Sequence, residues 1–162
     1  MAAGATVIAT TSTDAKAQRL QSLGAHHVLN YRSDPSWGET AKSLTPDNEG
    51  IDIVVDVGGD STLPQSLKAI RTDGLIALAG MLGHSAEQTS VPTMMDCLMN
   101  SCTARGFLLG TRDQFHEMNR FIAEHGIQPV VDEQVFDLAH VKEAYSHLEQ
   151  QRHFSKVCIK VQ

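Results

Sequence analysis

Four short stretches carry residue types that could bind charge or admit a ligand. The first is Thr11-Ser12-Thr13, with Lys16 one helical turn later. Hydroxyl donors beside an ammonium suit a phosphate, and each hydrogen bond to a charged group is worth about 1.5–3 kcal/mol. The same residues have a plainer use: Ser12 and Thr13 can cap the helix that follows, with Lys16 in solvent. The second stretch is Asp56-Val57-Gly58, where an apolar run ends in a carboxylate and a glycine. Glycine there lets a ligand approach the backbone, although a simple strand-to-helix turn has the same composition. The third and fourth, Gly80-Met81-Leu82 and Phe107-Leu108-Leu109, end two further apolar runs. They read either as ligand-facing strand ends or as ordinary core.

Metal and nucleophile chemistry finds less support. His140 and His147 share a helix face but stand two turns, about 10 Å, apart, too far for one ion without further ligands. With His153 they read as surface histidines. Cys97, Cys102 and Cys158 are odd in number and lack C-x-x-C spacing, so they read as small buried hydrophobes in a reducing, cytoplasmic compartment. No Ser-His-Asp or Cys-His arrangement can be assembled, and no catalytic residue is assigned.

These groups need a scaffold, and the composition permits one. A chain of 162 residues with 41% hydrophobic and 20% charged content is an ordinary globular chain with room for a core. A net charge of −6 and scattered Lys and Arg argue against a nucleic-acid partner. No apolar run approaches the ~18 residues of a membrane span, and Met1-Ala2-Ala3-Gly4 lacks a charged leader.

Strand and helix patterns alternate. Strands are expected at Thr6–Thr10, His27–Tyr31, Ile51–Val57, Leu75–Ala79 and Thr103–Leu109. The helix from Asp14 turns Ala17, Leu20 and Leu23 inward and stops at Gly24; the next opens at Ser33-Asp34-Pro35, with Trp37, Ala41 and Leu44 inward. A third is capped by Ser61 or Thr62, turns Leu63, Leu67 and Ile70 inward and stops at Gly74. A Met-rich fourth covers Thr93–Asn100, and a fifth runs from Thr111 to Gly126 with Phe115, Met118 and Ile122 on one side. The apolar run Ile51–Val57 suits a central strand buried on both faces. This alternation implies an α/β fold with one parallel sheet and right-handed crossovers. After Gly126 the rhythm changes: Pro129–Phe136 reads as irregular or edge strand. Asp137 caps a helix with Leu138, Val141, Ala144, Tyr145 and Leu148 inward, and Lys156–Val161 is a half-buried strand.

Four consecutive stretches carry a family resemblance: VIATTSTDAKAQRLQSLGAHHVLNYR, IDIVVDVGGDSTLPQSLKAIRTDGLIALAGMLG, TARGFLLGTRDQFHEMNRFIAEHGIQPVVDEQVF and HFSKVCIKV. In order and spacing the chain resembles the medium-chain dehydrogenase/reductase superfamily, in its alcohol dehydrogenase and quinone oxidoreductase-like branches. The resemblance implies a Rossmann-like dinucleotide-binding domain entered at its second strand, over residues 1–126. Residues 127–162 would be the tail that returns to a GroES-like catalytic domain. The first βα unit, its glycine-rich loop, the catalytic domain and the family's zinc ligands have no counterpart here, and no Gly-x-Gly occurs in the chain. With the sheet order 3-2-1-4-5-6, omission of the first strand leaves its neighbours about 9–10 Å apart. The second strand could then close against the fourth, another chain could supply the strand, or stability could suffer.

By the same resemblance, the Thr11–Lys16 turn replaces the acidic residue of NAD-preferring members, which favours NADP(H). Tyr31 would lie near the adenosine phosphate, Asp56, Val57 and Gly58 beside the nicotinamide ribose, and the Gly80–Leu82 and Phe107–Leu109 backbones at the nicotinamide. The function implied is the cofactor-binding part of an NADP(H)-dependent oxidoreductase, inactive as this chain alone. The alternative is a non-catalytic nucleotide-binding or pairing module that forms a homo-oligomer or joins a full-length relative. A methyltransferase-like domain, suggested by IDIVVDVGG, wants an early glycine-rich loop and a terminal antiparallel hairpin.

Overall fold

The structure, a computed structural model, describes residues 1–81 and 92–161. It divides into two compact units, one of Met1 with Ala3–Gln114, the other of Ala2 with Phe115–Gln162.

The first unit opens with strand β1 (Ile8–Thr11), helix α1 (Asp14–Ser22) and strand β2 (His27–Asn30). β1 and β2 pair in parallel from Ile8↔His27 to Thr11↔Asn30. Thr13 Oγ1 caps α1 by accepting the Lys16 N–H at 3.3 Å. Helix α2 spans Trp37–Ser43 and starts later than expected. Ser33 and Asp34 are spent on a turn, both donating N–H to the Asn30 carbonyl, and Asp34 Oδ1 accepts the Ser36 N–H at 3.0 Å. Leu44 follows α2 as its C-cap and is exposed, so only Trp37 and Ala41 of the expected stripe turn inward.

Strand β3 (Ile51–Asp56), helix α3 (Leu63–Ala69), strand β4 (Ile70–Leu78), helix α4 (Met94–Met99) and strand β5 (Thr103–Gly106) complete the unit. The three strands form a parallel sheet in the order β3-β4-β5. α3 stops at Ala69 rather than Gly74, because Ile70 is already extended at φ −67° and ψ 146°. Leu67, Ile70 and Ile76 form the core of this sheet, with Val54, Leu63, Leu78 and Cys102 against it. β4, not β3, is the strand paired along both edges. Alternate side chains of a strand face opposite ways. In β3 the face carrying Val54 and Asp56 meets the core and α3. Ile53, Val55 and the following Val57 are 60%, 65% and 58% exposed. The expectation of burial on both faces is therefore corrected to burial on one.

The single five-stranded sheet is likewise corrected. Among the described residues no ladder joins β1 to β3, so β1-β2 and β3-β4-β5 are separate sheets. The two helices that follow β2 and β3 bridge them. Gln65 Oε1 accepts the Gly38 N–H at 3.0 Å, and Lys68 pairs with Glu39 at 2.8 Å. A Cβ at Gly38 would lie 2.1 Å from the Gln65 carbonyl oxygen, so only glycine permits this approach of α2 to α3.

The second unit carries helix α5 (Arg112–Glu124, from Phe115 onward), strand β6 (Val131–Asp137), a 3-10 turn (Leu138–His140), helix α6 (Val141–Glu149) and strand β7 (Lys156–Lys160). β6 and β7 pair in parallel, which makes the tail one more βαβ unit instead of a break in the pattern. Asp137 caps the 3-10 turn by accepting the His140 N–H at 3.0 Å. In α6 only Ala144 is buried; Leu138, Tyr145 and Leu148 are exposed. No described helix is long and apolar enough to cross a membrane.

Candidate cofactor-facing strand ends

The residues singled out by sequence gather at the carboxyl ends of the parallel strands, where α/β sheets place their ligands. At the β1-β2 end, the Tyr31 N–H donates to the Thr11 carbonyl at 3.0 Å and extends the ladder by one bond. Asn30 fixes the geometry from the side. Its Nδ2 donates to Asp14 Oδ1 at 2.7 Å, tying β2 to the first turn of α1, and its Oδ1 accepts the Arg32 N–H at 3.1 Å. Thr11, Ser12, Lys16 and Tyr31 thus share one edge. Thr11 is buried, Ser12 and Lys16 are half-buried and Tyr31 is exposed. The capping role falls to Thr13 alone of the two hydroxyl residues expected to share it.

At the second sheet the three strand ends stay in register. The Ala79 N–H donates to the Asp56 carbonyl at 2.8 Å, and the Phe107 N–H to the Leu78 carbonyl at 3.1 Å. This brings Val57 and Gly58, Gly80 and Met81, and Phe107–Leu109 to a common edge. A Cβ on Gly80 would stand 2.4 Å from the Val57 carbonyl oxygen, so glycine sets the spacing of the first two ends. Met81, Phe107, Leu108 and Leu109 are exposed, the last two at 96% and 88%, so these side chains are not core. Leu82 lies outside the described residues.

Asp56 faces the other way. The residue is 3% exposed. Oδ1 accepts the Gly59 N–H at 2.8 Å and the Thr62 hydroxyl at 2.7 Å, while Oδ2 accepts the Ser66 hydroxyl at 2.6 Å. The side chain holds the β3–α3 turn, and only its backbone and the two following residues line the edge. Thr62 was expected only as a possible helix cap, a role its side chain does not take, and Ser66 was not singled out by sequence. Their spacing of four on a helix behind a strand-end carboxylate was the available signal.

In the second unit the surface reading of the histidines is corrected for His147, whose side chain is 15% exposed and whose Nε2 stands 3.3 Å from Asp132 Oδ1, and for His153, which is half-buried with its Nδ1 buried. Asp132, also missed by sequence, accepts the N–H groups of Gln134 at 2.9 Å and Phe154 at 2.6 Å. Burial opposes its ionisation, yet these two N–H donors and His147 together hold the carboxyl below its ordinary value. At the exposed pair His140–Asp137, the hydrogen bond that the imidazole donates to the carboxylate raises the imidazole above its ordinary value and holds the carboxyl below its own.

One parallel sheet thus ends in a polar edge and the next in an apolar one. The zinc-binding dehydrogenase family matches residues 1–124. The chain belongs to that family. Among curated relatives, it is 35% identical to a zinc-type alcohol dehydrogenase-like protein of Schizosaccharomyces pombe, over 99% of this chain and 46% of the relative. It is 29% identical to quinone oxidoreductase-like protein 2 of Bos taurus, over 96% of this chain and 45% of the relative. Among solved structures, an NAD-dependent alcohol dehydrogenase superposes with a TM-score of 0.84 at 31% identity, over 98% of this chain and 45% of that one. The chain thus spans about half the length of the relatives it matches, corresponding to the C-terminal portion of a medium-chain dehydrogenase/reductase. Among the described residues no three His, Cys, Asp or Glu side chains gather to hold a metal ion, so the zinc of the family's description finds no ligand set here.

Proposed function

We propose that this chain is the nicotinamide-dinucleotide-binding portion of an NADP(H)-dependent oxidoreductase of the alcohol dehydrogenase and quinone reductase kind. The observation that carries the reading is the contrast between the two strand edges. Ser12 and Lys16 offer a hydroxyl and an ammonium beside the Thr11 backbone and Tyr31, which suits the 2′-phosphate and adenosine end. Val57, Gly58, Gly80, Met81 and Phe107–Leu109 offer backbone and exposed apolar surface, which suits the nicotinamide and its ribose. The bound cofactor would supply or accept a hydride; the chain's own residues bind and orient it. Residues 1–126 form this binding portion and 127–162 the tail that accompanies a catalytic domain. The chain by itself turns over no substrate.

Thermal unfolding with NADPH, NADH and S-adenosylmethionine tests the reading. NADPH is expected to raise the midpoint most, and S-adenosylmethionine to leave it unchanged. Lys16→Ala is expected to weaken NADPH binding about tenfold or more while sparing NADH, the equivalent of one charged hydrogen bond. Equal binding of both dinucleotides by the parent chain would remove the phosphate assignment, and indifference to both would remove the binding role. Dehydrogenase turnover by the chain alone would overturn the inactivity.

Among the described residues β1 and β3 each pair on one side only, which favours the pairing-module reading as the second choice, since unpaired strand edges recruit other strands. Concentration-dependent assembly in sedimentation, with no response to dinucleotides, would establish it over the first.

A further inference from the structure

α4 ends in a way that sets two cysteines against each other. Asn100 is the C-cap, and Ser101 follows in the left-handed region at φ 48°. The Ser101 N–H donates to the Leu98 carbonyl at 3.1 Å, and the Cys102 N–H to the Cys97 carbonyl at 3.0 Å. These paired six-to-one and five-to-two bonds define a Schellman motif, whose usual companion is a side-chain contact between the third residue from the cap and the second residue after it. In this chain those two residues are Cys97 and Cys102. Neither is in a disulfide, and both are partly buried. The motif is anchored from outside as well: the Ser101 carbonyl accepts the Asp73 N–H at 2.8 Å, and Cys102 packs against the Leu67–Ile70–Ile76 core.

We propose that Cys97 and Cys102 are a redox-active dithiol that closes to an intramolecular disulfide with a peroxide as oxidant. Burial first, then the neighbouring Cys97 side chain, raises the Cys102 thiol above its ordinary value, which suits it to the resolving role. Cys97 gives up its proton and the thiolate attacks one peroxide oxygen; the O–O bond breaks, Cys97 becomes a sulfenic acid, and the departing hydroxide takes up that proton and leaves as water. Cys102 sulfur then attacks the Cys97 sulfur; the S–O bond breaks and a second water leaves with the Cys102 proton. Two electrons pass from the sulfurs to one hydrogen peroxide, and two waters form. The disulfide would fasten the end of α4 to the start of β5.

The chain is treated with a small excess of hydrogen peroxide, unfolded, alkylated and weighed intact, with peptide mapping under non-reducing conditions. The expected product is a monomer about 2 Da lighter before alkylation. It alkylates only at Cys158, carries a Cys97–Cys102 cross-link and regains all three thiols on reduction. Cys158→Ser keeps the loss, while Cys97→Ser and Cys102→Ser each abolish it. Because only four residues of sequence lie between the pair, the reaction is repeated in denaturing urea, where the cross-link is expected to form several-fold more slowly once the cap is gone. Over-oxidation of Cys97 without a cross-link, a cross-link that needs Cys158, or an equal rate in urea would each overturn the proposal.

Discussion

Among the described residues each unit holds one buried carboxylate, and the two are used differently. Asp56 in the first unit binds Gly59, Thr62 and Ser66, all within ten residues downstream. Asp132 in the second binds Gln134 nearby but also His147, fifteen residues on, and Phe154, twenty-two residues on. The first carboxylate shapes one turn at the carboxyl end of β3. The second ties β6 to α6 and to the approach to β7, and so stands in for part of a core that this small unit supplies chiefly through Phe136 and Ala144. Local ties build a site; long-range ties hold a fold that has little apolar burial to spend.

The sharpest way to break this comparison is Asp56→Ala. It would leave the buried Ser66 hydroxyl, and the half-buried Thr62 hydroxyl and Gly59 N–H, without this acceptor. Orphaned buried groups cost about 1–3 kcal/mol each, so a loss of about 3 kcal/mol or more is expected from the urea midpoint. That is a large part of the ~5–15 kcal/mol typical of a domain. A loss below about 1 kcal/mol would mean water replaces the carboxylate and the turn is not held by it.

Asp132→Asn comes next, with an expected loss of about 1–3 kcal/mol at neutral pH as two backbone N–H donors and His147 lose a charged acceptor. It also sharpens the comparison through pH. The folded carboxyl of Asp132 sits below its ordinary value of 3.8, so its contribution is complete above that value. It is lost as the pH falls through the lower, folded value, because the unfolded chain binds the proton more readily. The parent chain should therefore lose stability below about pH 4 more steeply than Asp132→Asn does. Parallel acid limbs for the two proteins would show that other carboxylates govern acid unfolding.

The same contrast explains what could be read from the sequence. The βα rhythm, the helix start at Asp14 and, within one residue, the start expected at Thr111 and found at Arg112, and the gathering of Thr11, Tyr31, Val57, Gly80 and Phe107 at strand ends follow from periodicity and turn residues, which act over a few positions. The placement of Asp56 was legible but the direction of its side chain was not, because a carboxylate at a strand end has the same pattern whether it meets a ligand or a hydroxyl pair on the next helix. Asp132 was invisible, since its partners lie in two elements whose approach depends on the fold. The burial of Ile51–Val57 was overestimated for a related reason: an apolar run records what a strand can bury, and its actual exposure depends on its neighbours. In the tail, the unequal lengths of the segments hid a parallel βαβ unit.

His147→Gln gives the smallest and most discriminating effect. Glutamine keeps an N–H that can replace the 3.3 Å bond to Asp132 Oδ1. It loses the imidazole ring, which packs 5.6 Å from the Phe136 ring centre. Aromatic pairs are worth about 0.5–1.5 kcal/mol beyond their burial, so a loss of about 1 kcal/mol is expected, well below that of Asp132→Asn. A loss equal to that of Asp132→Asn would move the tie from the backbone N–H groups of Gln134 and Phe154 to the imidazole. The second unit would then depend on a titratable partner rather than on its main chain, and the difference between the two carboxylates would be one of chemistry as well as of reach.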